Sequence, residues 1–410
     1  MLTHHKAILP AGKHPLWAVL AAFMLLLLAP PHAGAQTVDA PYASVDACAK
    51  VGQLEFNGTS ANQSITEQVE LGPRTTGSNG SAALRTMIHE QLPMWDVVNH
   101  TYTEDNFTFT NVVATHSSVI VNPLTPRVVL VAHYDSRDIA ERDPDPNRTG
   151  EPIPGANDGA SGVAVLLELG RLIPMMNLSY QVELLFTDAE DQSHSSENQR
   201  LYGAEAWVDR QTEHDLNRTT AYIVVDMVGD AYLQLTHVYP GDLTLWSTIS
   251  PLASALGLME NQQDCNGDYG RDIVNLSIST GVWDDHVPAL NRGIRAIDLI
   301  DIRFGPDADP FEGYWHTHED TPDKVSAQSL ADVGLLVELG LRSDAWIFDL
   351  PLQEVAQDEG KEDNLPQIED KPAADVEVYF GLGIAALIGL LATITLLVVL
   401  GRSVNLQPPR

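Results

Sequence analysis

Short apolar runs alternate along this chain with stretches of helical spacing. Arg127 to Ala132, Val182 to Thr187, Ala221 to Val225 and Ile294 to Leu299 are β-branched or leucine-rich and end in polar turns, which predicts strands. Gly162 to Ile173 and Ala327 to Phe348 place their apolar residues at helical intervals. The alternation predicts an α/β domain with a mixed, mostly parallel sheet and helices on both faces. Residues 143–155, DPDPNRTGEPIPG, hold too much proline for regular structure and are expected to form a loop. No internal repeat appears, and residues 36–352 are expected to form one domain.

The two ends break this pattern. Lys6 and Lys13 precede the apolar run Leu16 to Leu28, and Ala33-Gly34-Ala35 follows, which predicts a secretory signal peptide over residues 1–35. Val378 to Gly401 is apolar and uncharged, long enough for a transmembrane helix. Arg402 and Arg410 lie beyond that run, and Asp375 and Glu377 lie before it. The asymmetry predicts a single-pass membrane protein with its domain outside and residues 402–410 in the cytoplasm. Residues 353–377 are acidic and proline-containing, as expected of a solvated stalk. Asn57, Asn62, Asn79, Asn99, Asn106, Asn147, Asn177, Asn217 and Asn275 head N-x-S/T triplets between the two ends. They favour an exported glycoprotein.

Charge and cysteine content narrow the partners. Acidic residues outnumber basic ones 56 to 23, giving a formal charge of −33, which argues against a nucleic-acid partner. Hydrophobic residues make up 44% of 410, enough for one large core with appendages. Cys48 and Cys265 are too few for a disulfide framework and leave one bridge as an open question.

Against this background, acid and imidazole residues recur in five separate segments. They are His133 in VVLVAHYDS, Asp158 in PGANDGASG, Glu190-Asp191 in VELLFTDAEDQ, Asp226 in AYIVVDMVGD and His316 in YWHTHEDTPD. Four of them follow a short apolar run or sit in the loop after one. An open α/β sheet collects reactive groups outside the carboxyl ends of its strands. Oxygen and imidazole donors suit zinc or a similar divalent ion. Glu190 beside Asp191 suits a proton carrier next to a metal-bound group. Asp226 stands inside an apolar run, where an unpaired carboxylate is costly.

In order, these segments resemble the M28 family of zinc peptidases, from about Leu71 to Leu350. The resemblance begins at GPRTTGSNGSAALRTMI (Gly72 to Ile88), similar to the family's first helix. It continues through GANDGASGVAVLLELGRLI, DMVGD, DDHVPALNRGI and HTHEDTPD. It implies a zinc-exopeptidase, phosphorylase/hydrolase-like fold and one or two zinc ions. Asp158 then matches the central metal aspartate, Asp191 and His316 the ligands of one ion, and His133 and Asp226 those of a second. Glu190 matches the general base, and Asp135 a carboxylate that orients the His133 imidazole.

HYDSR, LYGAEAW, DDH and YWHT bring a finer resemblance, to the glutaminyl-peptide cyclotransferase branch. Peptidase members usually have Ser or Thr where Asp284 precedes Asp285-His286. Asp284 instead matches a cyclase aspartate of the proton-relay network, in which Asp226 also takes part. Trp315 and Trp207 are implied to line the substrate pocket. Asp191 departs from the pattern, since animal cyclases carry Glu there. Three functions follow. One is cyclisation of N-terminal glutamine, another is removal of N-terminal residues by an aminopeptidase. The third, a non-catalytic receptor ectodomain, is disfavoured because ligands and base are all retained. Both enzymatic readings take peptide N-termini as substrate.

Overall fold

The computed structural model describes residues 46–104, 106–192 and 200–348, which belong to the first of two units in the chain, Met1–Leu352. The expected signal peptide, stalk, transmembrane helix and tail lie outside the described residues. Among the described residues no helix is long and apolar enough to cross a membrane.

Three helices, α1 (Cys48–Val51), α2 (Gly58–Glu70) and α3 (Asn79–Gln91), lead into strands β1 (Asp96–Glu104) and β2 (Phe107–Ser117). Alternation then sets in: β3 (Arg127–His133), α4 (Ala160–Met176), β4 (Gln181–Thr187), α5 (Tyr202–Arg210), α6 (Glu213–Arg218) and β5 (Thr219–Asp226). After them come β6 (Leu235–Tyr239), α7 (Leu243–Ala255), β7 (Val274–Gly281), α8 (His286–Asn291), β8 (Ala296–Ile300) and α9 (Ala327–Arg342).

Six strands form one mixed sheet in the order β1-β2-β4-β3-β5-β8. Strands β4, β3, β5 and β8 are parallel and run to one edge, whereas β2 pairs antiparallel with β4 and with β1 at the other edge. Every residue of β3 and β5 is buried, as expected for strands covered on both faces. Successive side chains go to opposite sides. Val128, Leu130 and Ala132 join the core under α2, α4 and α9, whereas Val129 and Val131 join Trp207 and Val208 of α5 on the other face. Contact on the first face is close: a Cβ on Gly162 would stand 2.0 Å from the carbonyl oxygen of Val225. Glycine is what lets α4 approach the sheet there.

Three sequence expectations need correction. The helix expected from Gly72 begins only at Asn79, because Gly72 and Gly77 adopt positive φ and Ser78 caps the first turn through Ser81 N. The helix expected to reach Phe348 ends at Arg342; Asp344 turns left-handed, and Trp346 and Phe348 tuck into the core. Strands β1 and β2 went unforeseen. No β1 residue is fully buried, and threonine hydroxyls pair across the two strands (Thr101–Thr110, Thr103–Thr108), so their apolar signal is weak. The open cysteine question is answered by a disulfide between Cys48 and Cys265, which ties α1 to the α7–β7 connection.

Strand order places β4 on one side of β3 and β5 on the other. The connection after β3 leads toward β4, and the chain after β5 leads toward β8 in the opposite direction. That opens a crevice at the carboxyl ends of these adjacent strands. His133 ends β3, Asp226 ends β5, and the turn after β4 carries Glu190 and Asp191.

Candidate active site

That crevice holds a cavity of about 590 Å³ lined by Asp158, Glu190, Asp191, Asp226, Asp284 and His316, with Trp283, Phe311 and Trp315 among its apolar walls. Donor atoms gather in two groups within 4.8 Å of one another: Asp158, Asp191 and His316, and His133, Asp158 and Asp226. Asp158 serves both. Its Oδ2 lies 3.5 Å from Nε2 of His316, and its Oδ1 lies 3.2 Å from Nε2 of His133. His316 Nε2 is 3.2 Å from Asp191 Oδ1, and His133 Nε2 is 3.0 Å from Asp226 Oδ1. Two donors on one tetrahedral zinc stand roughly 3.3–3.5 Å apart, given bond lengths near 2.0–2.1 Å. Asp191 Oδ2 is buried without a hydrogen-bond partner. Spacing, donor chemistry and that orphaned oxygen all fit a cation.

The surroundings fix each donor. His316 Nδ1 is 2.8 Å from Glu141 Oε1, so Nδ1 donates there and Nε2 is the ring nitrogen that faces the crevice. Arg137 donates to Glu141 Oε1 (2.7 Å) and to Asp191 Oδ1 (3.3 Å). Asp320 accepts the backbone N–H groups of Asn157 (2.7 Å) and Asp158 (3.1 Å), holding the Asp158 turn. The buried Arg74 guanidinium donates to the carbonyls of Pro154 and Gly155 in the same turn. Gly155 has φ +64° and no room for a Cβ, which would sit 2.5 Å from Asp158 O.

Asp135, expected to orient the His133 imidazole, stands beyond hydrogen-bonding distance of it and bonds the backbone of the next turn. It lies 3.6 Å from His133 Nδ1, while its carboxylate accepts the N–H groups of Glu190 (3.2 Å) and Asp191 (3.0 Å). It therefore shapes the turn that presents Glu190 and Asp191 to the crevice. Ala189, Met227 and His316 all adopt positive φ beside or within the site. Each costs about 1–3 kcal/mol, which the surrounding hydrogen bonds must offset.

Trp315 stacks on the His316 ring with centroids 3.7 Å apart and packs against Phe311, forming one cavity wall. Trp207, expected beside it, is elsewhere. It is buried on α5, donates to Glu183 Oε1 (2.7 Å) and packs on Tyr222 in the core. The helical phase of α5 turns that indole toward the sheet and away from the crevice.

Sequence reasoning missed Glu141, Arg137, Asp320 and Arg74. The last three lie inside motifs it singled out, HYDSR, HTHEDTPD and GPRTTGS, whereas Glu141 lies in a loop without a marker.

Crowding shifts the acids. Burial, and then Asp158, push Asp191 up to about 6. Burial pushes Asp226 and Asp320 up to about 7, with neighbouring acids adding to it. For His316 burial works downward, but Asp191, Glu141 and Asp158 outweigh it and raise the imidazole to about 10. Burial, with Asp284, Asp191 and Asp285, holds Glu190 well above the usual carboxylate range.

Comparison with known proteins agrees with this geometry. The profile of Peptidase family M28 matches residues 111–339. Aminopeptidase YwaD of Bacillus subtilis is 28% identical over 51% of this chain, which spans only 39% of YwaD. The glutaminyl-peptide cyclotransferase of Boiga dendrophila is 26% identical, covering 65% of this chain and 76% of its own. Among solved structures, Porphyromonas gingivalis glutaminyl cyclase superposes with a TM-score of 0.59 at 27% identity, covering 69% of this chain and 96% of that one. A Zn-dependent exopeptidase from Parabacteroides distasonis gives 0.57 at 25% identity, covering 71% and 99%.

The shifted acids have a consequence for stability. Between about pH 4, where a free aspartate titrates, and about pH 7, folded protein holds protons that unfolded chain has released, so stability falls as pH rises. The raised His316 works in the same direction. Chelator-treated protein should therefore melt at lower temperature at about pH 8 than at about pH 5.5, and zinc should raise the melting point more at the higher pH. A metal-free melting point that climbs across this window would contradict the assigned burial of charge.

Proposed function

We propose, from the premise that this chain belongs to peptidase family M28, that it is a zinc enzyme converting the N-terminal glutamine of peptides to pyroglutamate. The observation that carries the reading is Asp284. It lines the cavity with Glu190 and Asp226, where a relay for an amine proton needs a third carboxyl group. The likeness to proteins named glutaminyl-peptide cyclotransferase and glutaminyl cyclase supports it.

Asp158, Asp191 and His316 would hold the zinc, which when bound supplies Lewis-acid polarisation of a carbonyl. The chain's own groups do the rest. The substrate α-amine attacks the carbon of its own side-chain amide. Glu190 accepts the proton that the amine loses and returns it to the departing ammonia, so a C–N bond forms, another breaks, and no water is consumed. Burial and the neighbouring acids raise the pKa of Glu190, which favours its holding the proton until ammonia departs. Asp226 and Asp284 accept hydrogen bonds from the amine and orient it. Trp315 and Phe311 wall off water beside the reacting amide.

A second reading, aminopeptidase, has its own support. His133, Asp158 and Asp226 form a second donor group, as a two-ion hydrolase requires. Incubating the purified protein with Gln-Phe-Ala and with Ala-Phe-Ala, then weighing the products, separates the two. Ammonia loss from the first peptide is expected, whereas release of a free amino acid from either would sink the cyclase reading. Glu190→Gln should keep zinc and fold yet lose roughly 100- to 10,000-fold in rate. Near-normal turnover in that variant would mean that Glu190 is not the proton carrier.

The apolar run at 378–401 supports a membrane anchor, residues 353–377 a stalk, and 1–35 a signal peptide. The sequon asparagines support exposure of the domain outside the cytoplasm: Asn57, Asn79, Asn99, Asn106, Asn147, Asn177 and Asn217 are all exposed. Protease added to intact cells should remove the domain and leave a short C-terminal fragment. A fully protected domain would rule out this topology.

A further inference from the structure

Beneath the floor of the cavity lie polar atoms that the proposed reaction leaves unused. Asp298 stands on β8, two residues before the cavity-lining Ile300 and on the same face of the strand. It is completely buried, and neither of its carboxylate oxygens meets a hydrogen-bond donor. Oδ2 of Asp284, Oδ1 of Asp285 and Nδ1 of His286 are buried close by and equally unpartnered. Native proteins rarely leave one such atom unsatisfied, let alone a cluster.

The groups facing Asp298 are acids and one imidazole. Asp284 and Asp285 come from the turn before α8, His286 from α8 itself, and Asp226 from β5. Asp284 lies within hydrogen-bonding reach of Asp298. His286 Nδ1 is 3.8 Å from Asp298 Oδ2.

The imidazole settles what Asp298 meets there. His286 Nε2 is 2.8 Å from the carbonyl oxygen of Pro240. A carbonyl only accepts, so Nε2 carries the hydrogen. Burial holds His286 below its ordinary pKa, which leaves Nδ1 as a bare lone pair facing Asp298. An ionised Asp298 would thus be hemmed in by a lone pair and by other carboxyl groups, without a donor. Burial, followed by Asp284 and Asp226, pushes its pKa well above the usual range. Asp284 Oδ1 already accepts the N–H of Asp285, so the oxygen that still wants a donor is Oδ2.

We propose that Asp298 is a positioning residue, a neutral carboxylic acid whose hydroxyl donates to Oδ2 of Asp284 and keeps that carboxylate aimed at the substrate amine. The assignment rests on the role given to Asp284 above. One proton satisfies both partners, and the cluster then carries one charge fewer.

Asparagine tests this sharply, because it keeps shape and a neutral donor but can neither ionise nor shuttle a proton. Asp298→Asn should retain kcat near that of the parent enzyme. Asp298→Leu should lose roughly ten- to hundredfold in kcat, as removal of an outer-shell partner typically does, with KM for Gln-Phe-Ala little changed. In the infrared difference spectrum of parent against Asp298→Asn at neutral pH, the C=O stretch of a protonated carboxyl should appear in the parent alone. Absence of that band overturns the proposal, as does a loss in the asparagine variant equal to that in the leucine variant. Should the protein hydrolyse Ala-Phe-Ala instead, the same variants are assayed on that peptide. The infrared band is read without turnover, so failure of the cyclisation reading is distinguishable from failure of the Asp298 assignment.

Discussion

Carboxylates repel one another most strongly where water is excluded, and the carboxyl ends of this sheet bury Asp158, Asp191, Asp226, Asp284, Asp285 and Asp298 together. Three devices make the arrangement tolerable. Backbone N–H groups absorb part of the charge, as when Asp135 accepts from Glu190 and Asp191, and Asp320 from Asn157 and Asp158. Arg137 and Arg74 supply positive charge from the two flanking loops. Protons held at raised pKa remove some of the remaining charge. What is left at Asp158, Asp191 and His316 is the place for a cation, and zinc in an M28 enzyme answers that need.

Fold and chemistry meet through the same constraint. A parallel strand buried on both faces can end in a charged residue only where a crevice gives that residue partners, and β3 and β5 end in His133 and Asp226 at such a place. The turns that follow are bent into positive φ at Ala189 and Met227, which points Glu190 and the approach to Asp226 into the cavity. Ordinary turn geometry would relax the backbone and disperse the acids.

Much of this was legible in the chain. The central strands read clearly because Val, Leu and Ile fill both faces, so no alternation dilutes the apolar run. The candidate donors His133, Asp191 and Asp226 read clearly because each follows such a run. Strands β1 and β2 did not, since β1 is an exposed edge strand and threonine and asparagine interrupt the apolar pattern of both. Glu141 was invisible for another reason: its function comes from a loop folding back on His316, a contact 175 residues apart in sequence. Trp207 misled because resemblance by motif conveys a residue's presence and not the phase of its helix. Asp298 sits inside the apolar run AIDLI, where its charge could have served as a signal of a buried network.

The account stands or falls on a cation among the crowded acids. Anomalous diffraction at the zinc edge, from crystals of protein purified without chelator, tests it directly. Zinc should appear bound to Asp158, Asp191 and His316. No anomalous density there, in protein that still acts on peptide N-termini, would contradict the account.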